Sequence, residues 1–159
     1  MKRTIYIETS VISYLTARPT NDSIKTACQQ ITRLWWDTGR VTVSAFISPY
    51  VVEEVSAGAP QAAKERIEAL RTIPVLPTAP EIIELAEFLI IGRGLPPKAR
   101  LDALHVACAT YHEIDVLITW NCTHIANPAN LPVLRGLCAA RGYRLPEVVT
   151  PFELMEVSQ

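Results

Sequence analysis

The chain alternates short apolar, strand-like runs with longer segments of helical spacing along nearly its whole length. That order limits the fold more than any other feature. Strands separated by helices pair in parallel, and the helices cover the faces of the sheet. TIYI (residues 4–7) reads as a first strand, and VISYL begins a short helix. Residues 22–38 carry Ile24, Ala27, Cys28, Ile31, Leu34 and Trp35 at helical spacing, with Asn21 or Asp22 to cap the start and Gly39 to stop it. VTVS (41–44) is a second strand, AFISPYVVEEVSAG is helical as far as Gly58, and the next helix opens at Pro60. IPVL (73–76) is a third strand, and a helix follows from Pro80. The Gly and Pro residues at 92–97 mark a loop, residues 98–112 a helix and DVLIT (115–119) a fourth strand. LPVLRGLCAARG is the last long helix and EVVT (147–150) a small fifth strand. The expected fold is a three-layer α/β/α arrangement around a mainly parallel sheet of four to five strands, with residues 1–159 as one domain.

Composition narrows the function classes. Apolar residues make up 49% and charged residues 19%, which suits a packed globular chain and not a disordered tail. The net charge of −1 gives no global basic field, which argues against a passive nucleic-acid module. It argues less against a nuclease, whose acidic residues offset its basic ones. No apolar run is long enough for a membrane span, and the run before Glu8 is too short for a signal-peptide core. The expected location is the cytoplasm. Cys28, Cys108, Cys122 and Cys138 form no CxxC pair, so reduced thiols are expected and structural zinc is not. Cys122 and His124 alone do not make a zinc site.

In a parallel sheet, ligands bind beyond the carboxyl ends of the strands. Glu8 ends the first strand there, and Thr119 and Asn121 end the fourth. Asp115 starts the fourth strand and belongs at the opposite edge, as a structural residue. A buried lone carboxylate is costly unless it is paired, hydrogen-bonded or metal-bound, so Glu8 is either exposed or part of a site. Glu54 shares a helical face with Ile47, Tyr50 and Val51, a carboxylate on a mainly apolar stripe; the alternative is an exposed neighbour of Glu53. Asp102 and His105 lie three apart as helical neighbours, and Asp102 near a helix start also suits the helix dipole. Asn121 fits a turn, or an oxygen ligand for a hard cation. Oxygen ligands clustered without His or Cys ligands suit Mg²⁺ or Mn²⁺.

Four segments, in order, resemble the PIN-domain ribonucleases. YIETSVISYL looks like the family's opening strand and first acid, VVEEVSAG its second acidic segment, LDALHVACA its third and LITWNCTHIANP its fourth. The closest resemblance is to VapC-like toxins of toxin–antitoxin pairs. It implies a PIN-like fold and a metal-dependent endoribonuclease. Glu8, Glu54 and Asp102 would hold Mg²⁺ or Mn²⁺, with Asn121 as a weaker or water-mediated ligand. Ser10 and Thr119 would orient the carboxylates, or simply cap and close turns. The resemblance also implies an RNA substrate, a cognate antitoxin and a homodimer, with Trp35 or Trp36 at a subunit interface. The sequence departs from the family twice, with Glu8 where Asp is usual and Asn121 where Asp is frequent. His105 reads as structural, His124 as a phosphate contact, and Arg93, Lys98 and Arg100 as either a solvated loop or a grip on an RNA backbone. A catalytically silent PIN-like module that binds RNA or protein is the alternative. No GxGxxG or GxxxxGK[ST] loop follows a strand, which counts against a nucleotide binder.

Overall fold

The computed structural model describes residues 1–156. Four parallel strands form one sheet in the order β2-β1-β3-β4, with β1 Thr4–Ile7, β2 Ser44–Phe46, β3 Val116–Ile118 and β4 Glu147–Val149. In register, Thr4 stands against Ser44, Tyr6 against Leu117 and Val116 against Glu147. Ile5, Tyr6, Ile7, Val116, Leu117 and Ile118 are fully buried, as expected for central parallel strands covered on both faces. None of the helices among the described residues is long and apolar enough to cross a membrane.

Helices carry every connection. They are α1 Thr9–Thr16, α2 Ser23–Leu34, α3 Pro49–Val55, α4 Pro60–Leu70, α5 Pro80–Ile91, α6 Arg100–Tyr111, α7 Leu131–Ala140 and α8 Pro151–Glu156. α1 packs with α2, α3 and α4, while α5 packs with α6 and α7. Asp22 caps α2 by accepting from Lys25 N at 3.0 Å. Beyond Leu34 the expected long helix loosens into a wide turn over Trp35–Gly39 and then tightens over Arg40–Thr42. Gly39 does not stop the helix as expected, since helical turns run on to Thr42; glycine is needed there because a side chain would meet the buried Trp35 ring, with a Cβ 2.6 Å from Trp35 Cδ1. Trp35 is buried, and the half-buried Trp36 lies under the Arg40 guanidinium at 4.7 Å.

Two expected strands differ. The second lies at Ser44–Phe46, not at 41–44, and residues 45–48 are not helical. Pro49 disfavours helical geometry in the residue before it, so α3 starts only at Pro49, capped by Ser48. The third, at 73–76, shrinks to a single bridge between Ile47 and Val75. Pro74 and Pro77 have no N–H to extend a ladder, and the remaining bonds are Ile47 N to Pro74 O at 3.0 Å and Leu76 N to Ile47 O at 2.8 Å.

The strand order creates one opening. After β1 the chain crosses toward β2, and after β3 it crosses the other way toward β4. Right-handed crossovers in opposite directions place their helices on opposite faces, so the carboxyl ends of β1 and β3 flank a crevice.

Candidate active site

Glu8 closes β1 at that crevice. Its backbone N–H continues the ladder to Ile118 O at 3.1 Å, and its side chain turns back to cap α1. One carboxylate oxygen, Oε2, accepts from Ser10 N at 2.9 Å, from Thr119 Oγ1 at 2.9 Å and from the Ser10 hydroxyl. The residue is only 4% exposed, so these bonds offset part of its desolvation. The hydroxyls of Ser10 and Thr119 thus both reach Glu8 Oε2. Ser10 Oγ also accepts from Trp120 N at 2.8 Å, and Thr119 Oγ1 from Asn121 N at 2.9 Å. They orient a carboxylate and tie the end of β3 to the start of α1.

Glu54 stands in the last turn of α3. Its Oε1 accepts from Thr9 Oγ1 at 2.7 Å and from Nε2 of the fully buried His105 on α6. Burial pushes the Glu54 carboxyl up, but the hydrogen bonds from His105 and the Thr9 hydroxyl outweigh it, and the group sits below its ordinary value. Asp102 lies in the first turn of α6, and its Oδ2 meets His124 Nδ1 at 2.8 Å. Asn121 Oδ1 accepts from His124 N at 3.0 Å and so fixes the loop that carries this imidazole. Asn130 Nδ2 braces the same loop by donating to His124 O at 3.0 Å.

The four sequence-predicted residues thus belong to linked clusters around the crevice. Glu8 and Asn121 share Thr119, Asn121 and Asp102 share His124, and Thr9, next to Glu8 in the chain, donates to Glu54. Each of the three carboxylates uses one oxygen in these bonds. The other oxygens, Glu8 Oε1, Glu54 Oε2 and Asp102 Oδ1, accept no hydrogen bond from the described residues. They are not sealed in either, because the buried side-chain polar atoms without partners among those residues are Arg40 Nε and Thr110 Oγ1. No Lys or Arg of the described residues pairs with Glu8, Glu54 or Asp102. In kind, these donors fit a hard divalent cation. Among the described residues, however, no group of three or more His, Cys, Asp or Glu side chains is gathered closely enough to hold a metal ion.

Thr9, Tyr6 and Ser48 were not singled out from the sequence. A threonine directly after the first acid was the available signal for Thr9. Tyr6 and Ser48 gave none, because their role depends on which helix packs beside β1. Arg93, Lys98 and Arg100 are exposed and make no ion pair among the described residues. Arg93, at φ 62°, lines a cleft of about 650 Å³ with Pro96, Pro97 and Asn130, beside the His124 loop. Cys108 and Cys138 are buried and all four cysteines are free.

No family model matches the chain, and no curated protein matches it. In fold it is similar to a chain of the crystal structure of VapBC2 from Rickettsia felis bound to a DNA fragment from their promoter. The TM-score is 0.54 at 12% identity, over 92% of this chain and 98% of that one. At this identity the likeness concerns the fold, and the four-stranded parallel sheet flanked by helices agrees with a PIN-like fold.

Proposed function

We propose that the chain is a divalent-cation-dependent endoribonuclease that hydrolyses RNA phosphodiester bonds, the toxin of a pair with a cognate antitoxin. The observation that carries the reading is the state of the three acids at the sheet crevice. Each is oriented through one oxygen, keeps the other unbonded by the described residues and lacks a Lys or Arg partner among them. The likeness to a chain of a VapBC2 structure supports the toxin assignment.

Glu8, Glu54 and Asp102 would hold Mg²⁺ or Mn²⁺, with Asn121 as a weaker or water-mediated member. Such an ion supplies a water of lowered pKa and offsets charge on the phosphate. The chain's own residues do the positioning. Ser10 and Thr119 fix Glu8, Thr9 and His105 fix Glu54, and His124 fixes Asp102. An unbonded carboxylate oxygen can accept the proton of an attacking water. The exposed Arg93, Lys98 and Arg100 give the RNA backbone a basic approach beside the cleft. A homodimer and a cytoplasmic location complete the proposal.

The test is cleavage of a mixed RNA pool across a Mn²⁺ titration, wild type beside Asp102→Ala. Metal-dependent cleavage that the substitution removes supports the reading. RNA binding with neither metal binding nor cleavage replaces it with a silent RNA-binding module.

A further inference from the structure

Glu54 is held from the core side by a chain of hydrogen bonds that the chemistry above does not use. Val51 N donates to Ser48 Oγ at 3.4 Å, and Ser48 Oγ lies 2.6 Å from the Tyr6 hydroxyl. That hydroxyl lies 2.6 Å from His105 Nδ1, and His105 Nε2 meets Glu54 Oε1. Ser48, Tyr6 and His105 are each 0% exposed, whereas the Glu54 side chain is 28% exposed. A sealed polar chain thus surfaces at one carboxylate.

The carboxylate end and the buried Ser48 proton fix its direction. A backbone N–H can only donate and an ionised carboxylate can only accept. Ser48 accepts from Val51, and among the described residues its own proton has a single partner, the Tyr6 oxygen. Tyr6 then donates to His105 Nδ1, which leaves the ring proton on Nε2, facing Glu54. In the reverse direction Tyr6 would donate to Ser48, and the fully buried Ser48 proton would have no acceptor.

We infer that Ser48, Tyr6 and His105 form a one-way positioning relay that locks His105 as the Nε2–H tautomer and pins Glu54 through Oε1, so that Oε2 is presented to the crevice. Its catalytic consequence rests on the ribonuclease reading. Tyr6 and His105 are positioning residues that act through Glu54.

The experiment pairs ¹⁵N NMR of the His105 ring with RNA cleavage, using the full chain. In the wild type, Nε2 carries the proton and Nδ1 shows the shift of a bare, hydrogen-bonded nitrogen. In Tyr6→Phe, Nδ1 moves toward the shift of a nitrogen without a donor, and kcat falls about tenfold with KM little changed. His105→Gln keeps an N–H for Glu54 and retains more activity than His105→Ala, and Tyr6→Phe adds no further loss in the His105→Ala background. A proton on Nδ1 in the wild type overturns the relay, even if no variant folds. Equal activity in folded Gln and Ala variants overturns the positioning role. A wild type that carries the Nε2 proton but cleaves no RNA supports the relay and overturns the ribonuclease reading.

Discussion

Two carboxylates sit at opposite edges of the sheet on similar supports, and their surroundings differ. Asp115, at the amino edge of β3, accepts on Oδ2 from Thr4 N at 2.9 Å and Thr4 Oγ1 at 3.0 Å. Its Oδ1 faces Arg144 at 3.7 Å, and the side chain is 43% exposed. Glu8, at the carboxyl edge of β1, likewise takes a backbone N–H and a threonine hydroxyl, but it is 4% exposed and has no Lys or Arg partner among the described residues. The protein and water complete Asp115. Glu8, Glu54 and Asp102 each keep one oxygen unbonded by the described residues and have no Lys or Arg partner among them, and a buried acid without compensation is expensive. The difference separates a paired structural clamp from acids that the proposed function would complete with a divalent cation. A hollow of about 790 Å³ lined by Met1, Arg3, Trp35 and Leu154 lies away from the crevice acids.

The strongest way to break this contrast is to remove the metal or a ligand. Chelation of divalent ions is expected to abolish RNA cleavage, and Mn²⁺ to restore it. Asp102→Ala is expected to lower cleavage by at least ~100-fold, while its circular dichroism matches the wild type. Asp115→Ala is expected to leave cleavage unchanged. If both substitutions reduce cleavage equally, the two edges are not distinct.

Hydrogen-bond deletions sharpen the comparison at smaller cost. Thr119→Val takes a donor from the buried Glu8 and an acceptor from Asn121 N. Leaving such groups unpaired is expected to cost about 1–3 kcal/mol, read from denaturant unfolding. Thr4→Val, at the other edge, is expected to cost about 1 kcal/mol or less, because water reaches the half-exposed Asp115. Equal costs would mean that Glu8 is as well solvated as Asp115.

What the sequence revealed follows the same division. β1 and β3 were legible because strands buried on both faces read as unbroken apolar runs. Glu8 and Asn121 were legible because strand ends define a ligand edge. The wide turn after Leu34 was not, since its residues keep the helical apolar spacing while the Trp35 ring's need for Gly39 is a tertiary matter. The strand at 73–76 was overread because apolar content outweighed the missing N–H groups of Pro74 and Pro77. His105 was expected to be structural, and it is fully buried; the sequence could not add that its two nitrogens join Tyr6 to Glu54. Those partners are 99 and 51 residues away, and nothing local encodes which groups the packing brings together.

The smallest expected effect concerns acid stability at the amino edge. The Thr4 backbone N–H, then the Thr4 hydroxyl, hold the Asp115 carboxyl below its ordinary range, with Arg144 and Arg3 adding to the effect against slight burial. A carboxyl lowered on folding contributes stability that is fully present above its unfolded pKa of about 3.9 and is lost as pH falls through the folded value. Because the side chain is 43% exposed, screening limits that contribution to about a few tenths of a kcal/mol. Asp115→Asn should therefore lower stability slightly at neutral pH and flatten the acid limb of the stability curve by the same amount. Urea unfolding of both proteins between neutral and acid pH reads the difference directly. Curves that stay parallel through the acid range would show that Asp115 does not titrate differently on folding, and the amino-edge clamp would then be no more than a pair of neutral hydrogen bonds.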